Sequence, residues 1–242
     1  MSDETHQTDN QVLSGSVLKL IAVITMLIDH TAAHLKAYVP FLRNKLFTLS
    51  LPLISSRTIT PYFIMRGIGR TAFPLFCFLL VEGWKHTSNR FRYGLSLLIC
   101  AFLSEFPFDV VHGSVPYNRQ NVFFTLFFGF IALCIYDRYR EKFALRGLLL
   151  VALFVFAFFF AADYRIAGVA FILLIYVAQA DILVVGFIGC VVLQITSFPA
   201  YILMALYNFK RGFVKGPVLK YAFYLFYPVH LLVLWLIQLA LR

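Results

Sequence analysis

Every residue from 148 to 160 is apolar. A helix or strand with no polar face must be surrounded on all sides, either by the core of a large protein or by lipid. Composition decides between the two. The 242-residue chain is 61% hydrophobic, 18% aromatic and 13% charged, with a mean hydropathy of +0.83. Soluble domains carry about a quarter charged residues; with roughly half that share, this chain cannot clothe a water-facing surface. It reads as a multi-pass protein of a cell inner membrane or plasma membrane, with membrane lipid as its main surroundings. An ordinary soluble enzyme and a disordered tail are excluded.

Charge-poor apolar runs recur at about residues 17–37, 68–84, 93–111, 120–136, 147–162, 166–180, 182–207 and 221–241. Strands of a membrane barrel would alternate polar and apolar positions, and these runs do not. The expected fold is therefore all-α, a polytopic transmembrane helix bundle of about eight spans of about 20 residues each. Residues 1–16 form a polar tail without the basic start and small-residue cleavage site of a secretory signal. Residues 17–242 read as one domain. The stretch 40–62 is ambiguous: its apolar part, 46–54, is too short to span and is interrupted by Pro52, which suits an interfacial or re-entrant segment.

Lys and Arg number 21 against 11 Asp and Glu, a net charge of +10. The cations sit in short clusters between apolar runs rather than interleaved with aromatics on a polar surface, so nucleic acid is not expected as a partner. With the amino terminus cytoplasmic, the clusters at Lys85, Arg90 and Arg92 and at Arg138, Arg140, Lys142 and Arg146 fall inside, and the turns at Arg119 and Arg165 outside. Two clusters then face outward against the rule: Arg43, Lys45 and Arg57, and Lys210, Arg211 and Lys215. The four cysteines, Cys77, Cys100, Cys134 and Cys190, lie inside apolar runs and read as small buried hydrophobes.

Ionisable groups inside membrane spans are costly, so each is a functional candidate to be weighed against helix packing. Lys19 and His30 stand eleven positions apart, which at about 100° per residue returns them to nearly one helix face, roughly 16 Å apart along the axis. That geometry suits an anionic cofactor held at the surface with its reactive end at an interior base. It equally suits a satisfied interior histidine and a snorkelling lysine. Asp29, about 100° around from His30, is expected to pair with another helix. His30 and His34 have the i, i+4 spacing of some metal sites, but no third ligand follows at a diagnostic distance, and no metal is expected. Arg66 and Arg70, one turn apart, fit either a clamp on phosphate or carboxylate or a pair of interfacial anchors. Glu82 and His86 read as a helix-end pair. Glu105 and Asp109 flank Pro107 and fit either a paired-carboxylate site or helix-end capping. Asn121 can cap the following helix, and the charges of Asp163 and Arg165 fit a self-paired turn. His230, beside Pro228 in the last run, is a candidate for substrate contact. GxSxG, HExxH, Walker A and GxGxxG patterns are absent from positions where they would work.

Leu18, Lys19 and Ile28-Asp29-His30, then Gly69, Arg70, Ala72, Phe73 and Pro74, then Glu82 and Gly83, then Glu105, Pro107, Phe108 and Asp109 form a series. It continues with Asn121 through Thr125, Asp163 and Tyr164, and Tyr227, Pro228 and His230. In these residues the chain resembles the TraX family of membrane proteins. The namesake of that family acetylates the amino terminus of a conjugative pilin subunit from acetyl-coenzyme A. The family is similar to a wider group of multi-spanning acyltransferases, in which a basic residue and a His with ten residues between them mark the first helix. Lys19 and His30 fit that spacing, with Lys where the wider group usually has Arg.

The resemblance implies an integral-membrane acetyltransferase that takes acetyl-coenzyme A at its cytoplasmic mouth and passes the acetyl group to an acceptor: a pilin, a glycan or another envelope molecule. His30 is expected as general base or acyl-carrying nucleophile, with Asp29 fixing its tautomer or the local bundle. Lys19, Arg66 and Arg70 are expected on the cofactor, and His230, Asp109 and Glu105 on the substrate. Two other classes compete: a transporter or flippase, in which the interior His, Asp and Glu relay protons or touch a polar solute, and a non-catalytic assembly factor for a surface appendage. Residues 38–63 match no motif of the family.

Overall fold

The computed structural model describes residues 12–51, 54–178, 181–214 and 216–242. Helix α1 (Gly15–Leu35) starts where Ser14 accepts a hydrogen bond from the Val17 backbone N–H. A 3-10 turn (Pro40–Arg43) and an antiparallel hairpin, β1 (Phe47–Leu51) and β2 (Ile54–Ile59), follow. Thus the ambiguous connection is a small β-hairpin beside an otherwise helical bundle; the tip, with Pro52, lies outside the described residues. Thr60 and Pro61 open helix α2 (Pro61–Gly69), which leads into α3 (Ala72–His86). The join is set by Pro74, which has no N–H to offer the carbonyl of Arg70 and crowds it, so the helix breaks there.

Helices α4 (Arg90–His112), α5 (Val122–Arg138), α6 (Phe143–Phe159) and α7 (Arg165–Ala178) run back and forth along the bundle. At one end, here the amino end because α1 begins there, Arg90 pairs with Asp137 at 2.9 Å and Tyr176 donates to Asp137 at 3.5 Å. At the far end, Gln120 bridges to Ala162. Among the described residues, four segments are long and apolar enough to cross a membrane: Gly15–Leu35, Pro61–His86, Arg90–His112 and Val218–Ala240. Helix α6 buries only Ala157 and exposes Leu148, Val151 and Phe159, an apolar face suited to lipid.

The expected span at 182–207 is instead a helical hairpin. Helix α8 (Ile182–Val192) leaves the amino end, a 3-10 turn (Ile195–Ser197) reverses the chain, and α9 (Phe198–Ala205) returns to it. At 1.5 Å per residue these helices are about 16 and 12 Å long, half of a bilayer core. They close against one another because Gly189 has no side chain: a Cβ there would collide with the ring of Tyr201, whose hydroxyl meets Ser197 at 3.1 Å. The loop that follows is consequently clipped to the start of α1. Gly15 N–H donates to the carbonyl of Lys210 at 2.8 Å, and Ser16 N–H to that of Arg211 at 2.9 Å. Lys210 and Arg211 therefore lie at the amino end, on the same side as Arg90 and Arg138, which corrects the outward placement expected for this cluster. Lys215 lies outside the described residues.

Helix α10 (Gly216–Ala240) then runs parallel to α1 and α4, packed against both. Gln238 ties the three together at the far end by donating to the carbonyls of His34, at 2.9 Å, and Val111, at 3.2 Å. Leu18, Leu75, Leu133, Ile172 and Leu231 are fully buried between the helices.

Candidate active site

A cavity of about 350 Å³ lies in the far half of the bundle, walled by α1, α2, α3, α4, α10 and the turns before α5 and α7. His30 and Asp29 reach it from α1. The break at Arg70 brings Arg66 and Arg70 to the same wall. As the helix spacing predicts, Asp29 turns away from His30 and pairs across to α2, its Oδ2 lying 2.5 Å from Arg66 Nη1. Gly69 makes this possible, since a Cβ at that position would overlap the Asp29 carboxylate.

Arg119 and Asp163 enter from the two turns. Asp163 does not pair with Arg165; burial pushes its carboxyl above the ordinary value while Arg119 and Arg70 pull the other way. Among the described residues neither Arg70 nor Arg119 has an ion-pair partner within 4.0 Å. Tyr164 stacks on Phe73 with ring centroids 3.5 Å apart and receives positional support from Thr125, whose hydroxyl accepts from its backbone N–H at 3.3 Å.

His30 stands between the rings of His34, Tyr227 and His230. Its Nδ1 is 2.7 Å from Nε2 of His230 on α10, and Nδ1 of His230 is 2.8 Å from the carbonyl of Phe226. His34 lies one turn along α1 with its centroid 5.8 Å from that of His30, and it meets His112 of α4 edge to face at 4.7 Å.

A second cavity of about 110 Å³ lies toward the amino end. Among the described residues, Lys19 and Lys220 are its charged lining residues, and none is a carboxylate. The loop carrying Arg211 closes beside it, held by the Ser16 hydroxyl donating to the Arg211 carbonyl at 2.6 Å. Met26, Phe76, Val122 and Tyr227 line both cavities. Lys19 and His30, on one face of one helix, thus open into adjoining spaces, with those four side chains as the common wall among the described residues.

The structure separates residues that the sequence grouped. Lys19 is parted from Arg66 and Arg70 by that wall. Glu105 and Asp109 do not line either cavity: Glu105 accepts a short hydrogen bond from Asn121, and Asp109 is buried at 5% exposure with its Oδ1 unpartnered. His230 is also absent from the cavity wall, standing behind His30 instead. Asn121 caps α5 as expected, its Oδ1 accepting from Phe123 N–H at 3.0 Å, and Glu82 takes the helix-end partners Lys85 and His86 at 3.3 and 3.6 Å. Sequence reasoning missed His112 and Tyr117 as wall residues. It read Arg119 as a turn charge, Asp163 as a turn charge and a member of the family series without a site role, and His34 as half of a metal pair. The available signal was three charged or aromatic residues, Tyr117, Arg119 and Asp163, in the short turns on the His30 side of the bundle.

A family model described as TraX protein matches residues 14–238. A curated relative, "Probable fimbrial assembly protein FimC, serogroup H1" of Dichelobacter nodosus, is 29% identical across 91% of this chain and 94% of its own length. No solved structure matches the chain.

Proposed function

The chain belongs to the TraX family, and on that premise and the geometry above we propose that it is a multi-pass acetyltransferase of the cell inner membrane or plasma membrane. The observation that carries the reading is the pair of adjoining cavities, cationic without a carboxylate at the amino end and holding His30 on the other side of a shared wall. Acetyl-coenzyme A supplies the acetyl group as a thioester. Its phosphates suit Lys19 and Lys220, and the roughly 16 Å of helix between Lys19 and His30 is the path its arm must cover. The cationic loops at Arg90, Arg138 and Arg211 share that end, which the positive-inside rule assigns to the cytoplasm, where acetyl-coenzyme A is found.

The acceptor enters the wider far cavity. His30 removes the proton from its amine or hydroxyl as that atom attacks the thioester carbonyl, and returns a proton to the departing thiolate. Asp29 and Arg66 form a fixed ion pair beside His30, and Arg70, Arg119 and Asp163 offer the acceptor two cations and a carboxylate. Arg66 and Arg70 thereby serve the acceptor side rather than the cofactor. A pilin amino terminus is the acceptor that fits the family's namesake and the fimbrial name of the relative.

That name also favours a second reading, a non-catalytic factor in appendage assembly. One experiment separates them. Purified, detergent-solubilised protein is given acetyl-labelled acetyl-coenzyme A and a synthetic peptide with a free amino terminus, beside a folded His30→Ala variant. Label on the peptide or on the wild-type protein, or coenzyme A release that the variant lacks, supports the enzyme. No binding and no release in either leaves the assembly role.

A further inference from the structure

Hydrogen bonding around His30 fixes where its protons sit. The carbonyl of Phe226 can only accept, so the 2.8 Å contact to His230 places a proton on Nδ1 of His230. No carboxylate bonds either ring among the described residues, and an unpaired charge in this buried site would be costly. Both rings are accordingly neutral, and a neutral imidazole carries one N–H. His230 therefore presents a bare Nε2, and the 2.7 Å contact is a bond donated by Nδ1–H of His30. The ring planes are within 6° and the centroids 5.0 Å apart. That separation exceeds the N···N distance by about two ring radii, so the imidazoles meet edge to edge and the proton points along the lone pair.

The remaining nitrogen, Nε2 of His30, then holds the lone pair. It has no hydrogen-bond partner among the described residues. Nor is it one of the sealed unpartnered atoms, which there are Asp29 Oδ1, Trp84 Nε1, Ser104 Oγ and Asp109 Oδ1. It opens to the cavity that His30 lines.

We infer that His230 is a positioning residue: through Phe226 it locks His30 in the Nδ1–H tautomer and aims the basic Nε2 at the acceptor. An unconstrained histidine favours the opposite tautomer, with the proton on Nε2 and the basic lone pair on Nδ1, the nitrogen that here faces His230 rather than the cavity. The assignment deepens the acetyltransferase reading and rests on it for its consequence, but the tautomer itself is measurable without turnover. His230 touches neither substrate in this scheme; it sits two hundred residues from His30 in sequence and acts only through that ring.

The test is nitrogen NMR on the full chain in detergent, labelled with 15N-histidine and assigned by a His30→Gln variant. In the wild type, the His30 signals should show a pyrrole-type Nδ1 and a pyridine-type Nε2. In His230→Leu, which removes the acceptor, the two types should exchange and acetyl transfer should fall by about 100-fold or more, the usual share of a general base. In His230→Gln, whose side-chain oxygen can take the bond from His30, the wild-type tautomer and most of the transfer should return. A protonated Nε2 on His30 in the wild type overturns the assignment, as does a His230→Leu protein that keeps the wild-type tautomer. If the tautomer behaves as expected while not even the wild type transfers acetyl, the lock stands and the acetyltransferase reading falls.

Discussion

Gly69 and Asp29 occupy each other's space: the carboxylate of Asp29 lies where a side chain at residue 69 would begin. That vacancy lets α1 and α2 approach closely enough for Arg66 to hold Asp29 at 2.5 Å. Gly69→Ala should push the carboxylate off its partner at a cost of about 1 to 3 kcal/mol, the range for overpacking a tight site. Thermal unfolding in detergent reads the loss, and the same variant should transfer acetyl more slowly at saturating donor. An unchanged melting temperature would show that the helices can part without harm.

Lys19 lines the cavity that does not hold His30, so on the proposed mechanism its removal should weaken donor binding without altering the reacting atoms. Lys19→Leu is expected to raise KM for acetyl-coenzyme A by about tenfold while leaving kcat near the wild-type value, the pattern of a lost ground-state contact. Initial rates over a donor series check it; a fall in kcat with KM unchanged would move Lys19 into the transition state.

Val122 is half-buried at the first turn of α5 and lines both cavities. Val122→Phe should thicken the shared wall. Coenzyme A should still bind at the amino end, measured calorimetrically, while transfer drops by about 10- to 100-fold because the thioester no longer reaches the base in line. Equal loss of binding and transfer would mean the two spaces are not successive.

Gln238 is 6% exposed and holds two carbonyls of neighbouring helices. Gln238→Leu leaves both without that donor, and unfolding in detergent should register a loss of about 1 kcal/mol, the scale of a buried hydrogen bond. Retention of full stability would indicate that water replaces the amide.

Much of the helical bundle was legible because its helices are written as long apolar runs with polar ends, and the Lys19, Asp29 and His30 directions followed from helical period alone. What failed did so where periodicity carries no information. Residues 182–207 are apolar over most of their length, so only the short polar stretch of Gln194, Thr196 and Ser197, followed by Pro199, marks the reversal, and the space left by Gly189 for Tyr201 is a contact between helices rather than a local preference. The hairpin at 47–59 hid because its apolar stretch is short and broken by Pro52. His230 was singled out as an intramembrane histidine beside a proline, yet its partner lies on another helix, and no local rule connects positions two hundred residues apart. The same limit concealed that Arg119 and Asp163, from two separate turns, share a cavity wall with Arg70.

The hairpin of α8 and α9 changes the parity of the chain. A straight passage there would have returned α10 to the side on which α1 starts; the reversal sends it the other way, so Gly15 and Arg242 emerge at opposite ends, the latter with its side chain against the Tyr38 hydroxyl at 3.2 Å. Reporters fused before α1 and after α10 should consequently light up in different compartments, a separation that one half-depth turn of chain sets by placing the two ends of the bundle apart.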